Sequence, residues 1–411
     1  GGFYYSPVYT YLFVAALRNA ADVAASPSLD TRAQAAVRRA LDYVRERETV
    51  VPTGVSSSFL ASDVWDSTAV ATGELEAPPG LAPTGPSPGE LAAYVAAQQS
   101  PSGGFSYGRG SHFPDVDSTG LAMGLFAAVI GREPSAARRA TLLGALVRAF
   151  DFLERHRSAA GGFNAWTVRH GEAPPPMPSE LASVLFDVSS ADVTARVMSS
   201  LARVAELARA DAGAASALGP ERLRRLERLR DRGLAYLRST RDRSTGLWPA
   251  RWTLGYVVGT RFVFDALETY PEATPELDEL RRAAARTLVT CQNPDGGFGE
   301  SPDSDTKGRF TPSPSSASLV TAAALGILRG CSERGAREGA ARALAFLLRA
   351  QRPDGSWPEA SLYTQFAGLY ASYELMTQVG VTTTLSRILR ATAAPSASGV
   401  GVYRGVDPSR R

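Results

Sequence analysis

The chain has 411 residues, 44% of them apolar and 21% charged, with a formal net charge of +3. Enough apolar side chain is present for a substantial core, which excludes global disorder, and the charge is too mild for nucleic acid to be a partner. Two cysteines, Cys291 and Cys331, give neither a disulfide framework nor a metal pattern, so a reducing cytoplasm is the expected compartment.

In chain order, Phe3 to Ala25 is largely apolar but contains Arg18, Asn19 and Asp22, the pattern of a buried helix. No run of about eighteen apolar residues marks a transmembrane helix, and the start lacks the basic leader and cleavage site of a signal peptide. Residues 77–90, 170–178 and 300–315 read as loops. None separates regions of different composition, so one domain over residues 1–411 is expected. Gln99 to Phe105 (Gln-Ser-Pro-Ser-Gly-Gly-Phe) opens a repeat. Gln292 to Phe298 and Gln351 to Trp357 restate it, and Arg157 to Phe163 and Asp242 to Trp248 are variants without the Gln. Ala/Leu-rich helical patterns precede each copy and follow several. The spacing predicts a helix, a tight turn in which Gly takes a positive φ and Gln bonds exposed backbone, and an aromatic that anchors the turn on the next helix. Such helical hairpins can close into an (α/α)6 barrel with a central cavity or stack as an open solenoid.

Phe113 to Thr119 (Phe-Pro-Asp-Val-Asp-Ser-Thr) places Asp115 and Asp117 at the mouth of an apolar run. One reading is a capped helix start. The other is a carboxylic acid kept protonated by desolvation and a like-charged neighbour, able to protonate a base as weak as an alkene. His112, His156 and His170 share no metal-ligand spacing and are expected on the surface or in loops. No phosphate loop or Rossmann glycine pattern is present. Paired carboxylates on such a barrel also occur in glycoside hydrolysis, but these two lie only two residues apart.

In this company the turns resemble the QW repeats of the squalene-hopene cyclase and class II terpene cyclase superfamily. Asp63-Val-Trp65-Asp66-Ser-Thr is similar to the family's P-V-W-D-T segment. Gly103 to Tyr107 and then Phe113 to Thr119 resemble G-G-W-x-F followed by Y-P-D-V-D-D-T. Ser190 to Val197 resembles S-E-D-V-T-A-H-V, and Gly246 to Trp252 with Gly259-Thr260 resembles G-S-W-x-G-R-W and Y-G-T. Thr311-Pro-Ser resembles the S-T-P-S segment, and Phe366, Tyr370 and Tyr373 keep the spacing of the family's C-terminal aromatics. The resemblance implies an all-α fold, the (α/α)6 barrel of the β-domain type. It also implies a cyclase that protonates an alkene or epoxide of a polyprenyl chain and closes rings by carbocation chemistry. Asp117 falls on the family's proton donor, with Asp115 polarising it. Trp65, Tyr107, Trp252, Tyr256, Phe366, Tyr370 and Tyr373 fall on cavity aromatics, whose negative ring faces stabilise cations without quenching them. The implied partner is an isoprenoid small molecule. No cofactor is implied, and magnesium only with a diphosphate substrate. The barrel shared with protein prenyltransferases would need a zinc set, which Cys291 and Cys331 do not supply.

The chain departs from the pattern at three points. Ser118 replaces the last Asp of D-x-D-D, and Arg196 replaces the histidine that pairs with the acid. In contact with Asp117, Arg196 would lower its pKa; on Asp115 or on Asp192, four residues before it, it would leave the acid alone. It could instead bind a substrate anion. Third, only residues 26–60 fill the interval where the family inserts a second helical domain, so the cavity would be open on one side. A homodimer, a separate subunit, a loop or a peripheral membrane contact would close it.

Overall fold

A computed structural model describes residues 88–106, 114–166, 188–252, 255–270 and 274–358, with scattered positions at 35–39 and 364–388. The expected helix over Phe3–Ala25 and the 170–178 loop lie outside the described residues, as does most of 77–90. The last three residues of that loop open a helix, α1 (Pro88–Ala97), as suits a proline in a first turn. Then come α2 (Val116–Ile130), α3 (Ala136–Arg155), α4 (Ala191–Ala210) and α5 (Ala212–Thr240). The chain continues through α6 (Tyr256–Leu267), α7 (Thr274–Thr290), the one-turn α8 (Asp303–Thr306), α9 (Ser318–Leu328) and α10 (Arg334–Ala350). A two-stranded antiparallel hairpin, β1 (Thr364–Phe366) and β2 (Leu369–Ala371), interrupts the helical pattern and pairs Gln365 with Tyr370.

Helices alternate between two layers. Four of them, α2, α4, α6 and α9, pack side by side as an inner wall, and α3, α5, α7 and α10 back them. The outer helices put apolar residues on one face and charge on the other, laced by pairs such as Arg222–Asp151 (2.8 Å) and Arg225–Glu154 (3.0 Å).

The repeated turn explains how the layers lock. In all five copies the glycine after the turn has positive φ: Gly103 (91°), Gly161 (89°), Gly246 (74°), Gly296 (87°) and Gly355 (91°). A Cβ on Gly103 would sit 2.5 Å from the Arg148 carbonyl oxygen of the next outer helix, so glycine is required for both space and torsion. The amide of Gln99 donates to Gly103 O (2.8 Å) and to Ala145 O on α3 (2.9 Å), while Arg148 Nε donates to its oxygen (2.8 Å). Gln292 makes the same clamp with Gly296, Gly339 and Arg342 on α10. Gln351 makes it with Gly355 O (3.0 Å), Ala36 O (2.7 Å) and Arg39 Nη2 (2.7 Å). The last turn is therefore clamped onto a helical segment near the start of the chain, and the hairpins form a closed α/α barrel rather than an open solenoid.

Each turn aromatic, Phe105, Phe163, Trp248, Phe298 and Trp357, is buried. The backbone N–H of the first four donates to a threonine hydroxyl in the first turn of the following inner helix. The threonines are Thr119 (2.9 Å), Thr194 (2.9 Å), Thr260 (2.8 Å) and Thr321 (2.9 Å). These bonds set the four inner helices parallel and in one register.

Candidate active site

The carboxylate pair sits where that register begins. Asp115 is the N-cap of α2: its Oδ1 accepts from Ser118 N and its Oδ2 from the Ser118 hydroxyl, both at 2.6 Å. The helix-cap reading of the motif thus holds for this residue, and Ser118, standing where the pattern has a third acid, works as its donor. Burial pushes the Asp115 carboxyl up to about 7, against the Ser118 hydrogen bonds that lower it and with the charge of Asp117 adding to the rise.

Asp117 is 8% exposed and takes no part in the cap. Arg196 on α4 forks onto it, Nε to Oδ1 at 2.9 Å and Nη2 to Oδ2 at 2.7 Å. Arg196 also stands 3.8 Å from Asp192, fully buried one turn earlier on α4, and its guanidinium carbon lies 5.2 Å from the centre of the Phe262 ring. The contact with Asp117 lowers that carboxyl as expected, but burial outweighs it and the nearby Asp192 charge opposes it, so the net direction is upward. Asp192 in turn accepts from the backbone N–H of Arg251 (3.3 Å) and Trp252 (3.0 Å), which ties the segment before α6 to the acid.

Aromatic rings lie along the segment before α6 and its first turn. Trp252, half-buried, meets Trp166 edge-on at 5.0 Å. Tyr256, buried at the start of α6, meets Phe310 at 6.2 Å, and its backbone N–H donates to Glu300 (2.7 Å). Sequence reasoning brought together Asp115, Asp117, Ser118, Arg196, Asp192, Trp252 and Tyr256, and the structure places them at one end of the inner helices. It did not single out Trp166, Phe262 or Phe310. Trp166 was nonetheless signalled by its place three residues after Phe163, and Phe262 by its place two after Thr260. Trp65, Tyr107 and Tyr373 lie outside the described residues. Phe366 and Tyr370 fall on the β1–β2 hairpin, where only the backbone is described.

His112 and His170 lie outside the described residues; His156 is in the turn that ends α3 but not on the surface, being 8% exposed, stacked on Phe152 with ring centroids 3.9 Å apart and bonded through Nδ1 to Phe152 O (2.8 Å). It closes the end of α3 rather than facing solvent. Cys291 and Cys331 each follow the end of an inner or outer helix, and burial raises both thiols to about 11. Among the described residues no group of three or more His, Cys, Asp or Glu could hold a metal ion, and no helix is long and apolar enough to cross a membrane.

Residues 89–390 match the family described as squalene-hopene cyclase C-terminal domain. A probable squalene-hopene cyclase of Sinorhizobium fredii is 30% identical over 253 residues, 61% of this chain and 35% of that protein. A drimenyl diphosphate synthase of Streptantibioticus cattleyicolor is 28% identical over 279 residues, 67% of this chain and 42% of that protein. The chain spans about a third of the length of the squalene-hopene cyclases it matches. Among solved structures, the type II terpene cyclase MstE from Scytonema superposes with a TM-score of 0.55 at 17% identity, covering 89% of this chain and all of that one. That cyclase has also been solved with geranylgeranyl dihydroxybenzoate as its substrate.

Proposed function

The chain belongs to the squalene-hopene cyclase C-terminal domain family, and from that premise we propose that it is a class II-type terpene cyclase in which Asp117 protonates the terminal alkene of a linear isoprenoid or prenylated small molecule. The observation that carries the reading is the placement of Asp117: a buried carboxyl raised by its surroundings and forked by a guanidinium that lies beside the Phe262 ring.

Burial shifts Asp117 toward the neutral acid, the form that carries the proton the reaction needs. The fork occupies one lone pair on each carboxylate oxygen and leaves the other on each, so a proton there can face the substrate while Arg196 stays bonded. As the proton moves to the alkene carbon, the O–H bond breaks, the C–H bond forms, and negative charge grows on Asp117. The two charge-assisted bonds from Arg196 strengthen at that moment. Arg196 therefore acts on the transition state more than on the ground state, which is what accelerates a chemical step. The positive charge left on the chain is passed between ring carbons next to Trp252, Trp166 and Phe262, whose π-faces stabilise it without forming a bond. Loss of a proton or capture of water ends the sequence. Asp192 holds the Trp252 segment against the acid and stands as the second anion beside Arg196.

In this reading the acid step needs no cofactor, and magnesium accompanies a diphosphate substrate. The cavity's open side is closed by a second copy, a separate subunit or a membrane surface. The relatives' names motivate squalene and geranylgeranyl dihydroxybenzoate as trial substrates, and farnesyl and geranylgeranyl diphosphates join them as linear isoprenoids. Asp117→Asn, folded as judged by circular dichroism, should form no cyclic product from any substrate the native chain converts; native-like turnover would remove Asp117 from its role. A second reading, a prenyl-chain binder or a subunit of a two-component cyclase, is favoured by the same fork if Asp117 stays ionised on Arg196. Cyclic product from the purified chain alone eliminates it.

A further inference from the structure

Trp252 and Tyr256 stand on a connection whose amides are held from two sides. Asp192 of α4 accepts from the N–H of Arg251 and of Trp252, and Glu300 accepts from those of Tyr256 (2.7 Å, Oε1) and Val257 (3.1 Å, Oε2). Glu300 has no part in the mechanism above, yet it is a partly buried carboxyl with both oxygens occupied by these amides. The residue before α6 is Gly255, and the helix has no side-chain cap of its own. Glu300 therefore supplies, from 44 residues away, the acceptor that a helix start needs.

The surroundings are shaped to admit this contact. Gly255 takes φ 94°, and a Cβ there would lie 2.4 Å from Glu300 Oε2, so the carboxylate reaches the helix start only over a glycine. Ala250 N donates to Gly255 O (3.2 Å), which folds the connection back toward α6. Glu300 is itself pinned at the backbone: Ser301 N donates to Thr311 O (2.8 Å) and Ser313 N to Gly299 O (3.0 Å), on either side of an antiparallel bridge between Glu300 and Pro312. The same loop brings Phe310 to the Tyr256 ring, so one support holds both the backbone and the ring of Tyr256.

Resting on the reading that the cation passes beside Trp252, we propose that Glu300 is a positioning residue for the reaction. It touches no reacting atom. Its carboxylate fixes one end of the connection, while Asp192, beside Arg196, fixes the other, and the place of the Trp252 indole is set by both. Without Glu300 the first two N–H groups of α6 lose their acceptor and the helix start frays. The bonds to Asp192 then hold the connection alone, and Trp252 drifts. A ring displaced by about 1 Å from a transient cation costs rate and changes which bond forms, while the apolar grip on the hydrocarbon stays.

The test is residue-resolved hydrogen exchange on the native chain, Glu300→Gln, Glu300→Ala and the control Asp303→Asn, an exposed partner of Lys307 on the same loop. In Glu300→Ala the Tyr256 and Val257 amides should exchange about tenfold or more faster, and in Glu300→Gln, which keeps one acceptor oxygen, by less. The Arg251 and Trp252 amides should also quicken, although Asp192 is untouched, while the Phe163 and Phe298 amides and all those of Asp303→Asn stay native. Trp252 protection that stays native while that of Tyr256 is lost would reduce Glu300 to a local cap and overturn the proposal. Faster exchange at Phe163 and Phe298 as well would make it a general stability residue and overturn it equally. With any trial substrate that the native chain cyclises, Glu300→Ala should lower kcat about tenfold or more, shift the product ratio and leave KM within about twofold. An unchanged kcat and product ratio also overturns it. If the amides respond as described but the native chain yields no cyclic product, the two-sided hold stands and the cyclase reading falls. Cyclic product from a chain whose Trp252 amide ignores Glu300 does the reverse.

Discussion

Replacing Arg196 with methionine would leave the Asp117 carboxylate buried beside Asp192 without its cation. The two side chains of the pair are only 10% and 11% exposed, so solvent screening discounts little of the interaction. Removing one partner of a buried pair costs ~3–5 kcal/mol when the other stays charged. Asp117 has an escape, however: burial already raises its carboxyl, and loss of the guanidinium, which lowers it, raises it further. A folded-state pKa above the unfolded value means that the native chain keeps a proton the unfolded chain releases. Stability from that proton is complete below the unfolded pKa and is lost as pH climbs through the folded one. The variant should therefore lie closer to the native chain near pH 4 than at pH 8, where it should fall behind by up to ~3–5 kcal/mol. Urea melts of the native chain, Arg196→Met, Asp117→Asn and the double variant from pH 4 to 9 would measure this. In the Asp117→Asn background the Arg196→Met cost should lose its pH dependence. A cost that is the same at pH 4 and pH 8, or the same with and without the Asp117 carboxylate, refutes the coupling.

Gly103→Ala should cost more than ~2 kcal/mol in thermal or urea melts, because strain at φ 91° adds to a clash with the Arg148 carbonyl. Gly308→Ala, at φ 59° with open space around it, should cost only about 1. Thr194→Val strands the Phe163 N–H, and ~1–3 kcal/mol of lost stability is expected, with a matching loss of hydrogen-exchange protection at that amide. Asp115→Asn keeps an N-cap acceptor but removes a carboxyl raised to about 7. The native chain's fall in stability between pH 4 and 7 should therefore become shallower in this variant, and an unchanged slope would show that Asp115 does not titrate there.

The turns were legible in the sequence because their geometry admits few residues: positive φ asks for glycine, and a side chain that must both donate and accept asks for glutamine. Barrel or solenoid stayed open because that choice rests on contacts distant in sequence, among the described residues those of Gln351 with Ala36 and Arg39, which no local pattern encodes. At the site, Asp115 and Asp117 stood out as a pair, yet only three-dimensional packing separates the cap from the forked carboxyl. Arg196 lies 79 residues from Asp117 and was reached through resemblance alone, with its partner undecided. Phe262 escaped notice because helical spacing shows that a stripe exists, whereas only packing shows that this ring lies beside Arg196. The burial of His156 was not legible because a lone histidine at a helix end gives no hint of the phenyl ring it stacks on.

Gln351 finds its carbonyl acceptor 315 residues back along the chain. A ribosome must therefore release nearly the whole described barrel before the clamp can form. Until then the inner faces of α2, α4, α6 and α9 have neighbours on one side only, and water reaches the wall that later surrounds Asp117. Closing so long a loop is entropically slow, so it comes late in folding. Shelter for the acid within the wall thus depends on the closed ring and not only on the two helices that carry Asp117 and Arg196. Any change that loosens the seam between residues 36 and 351 would wet the site without touching a residue in it.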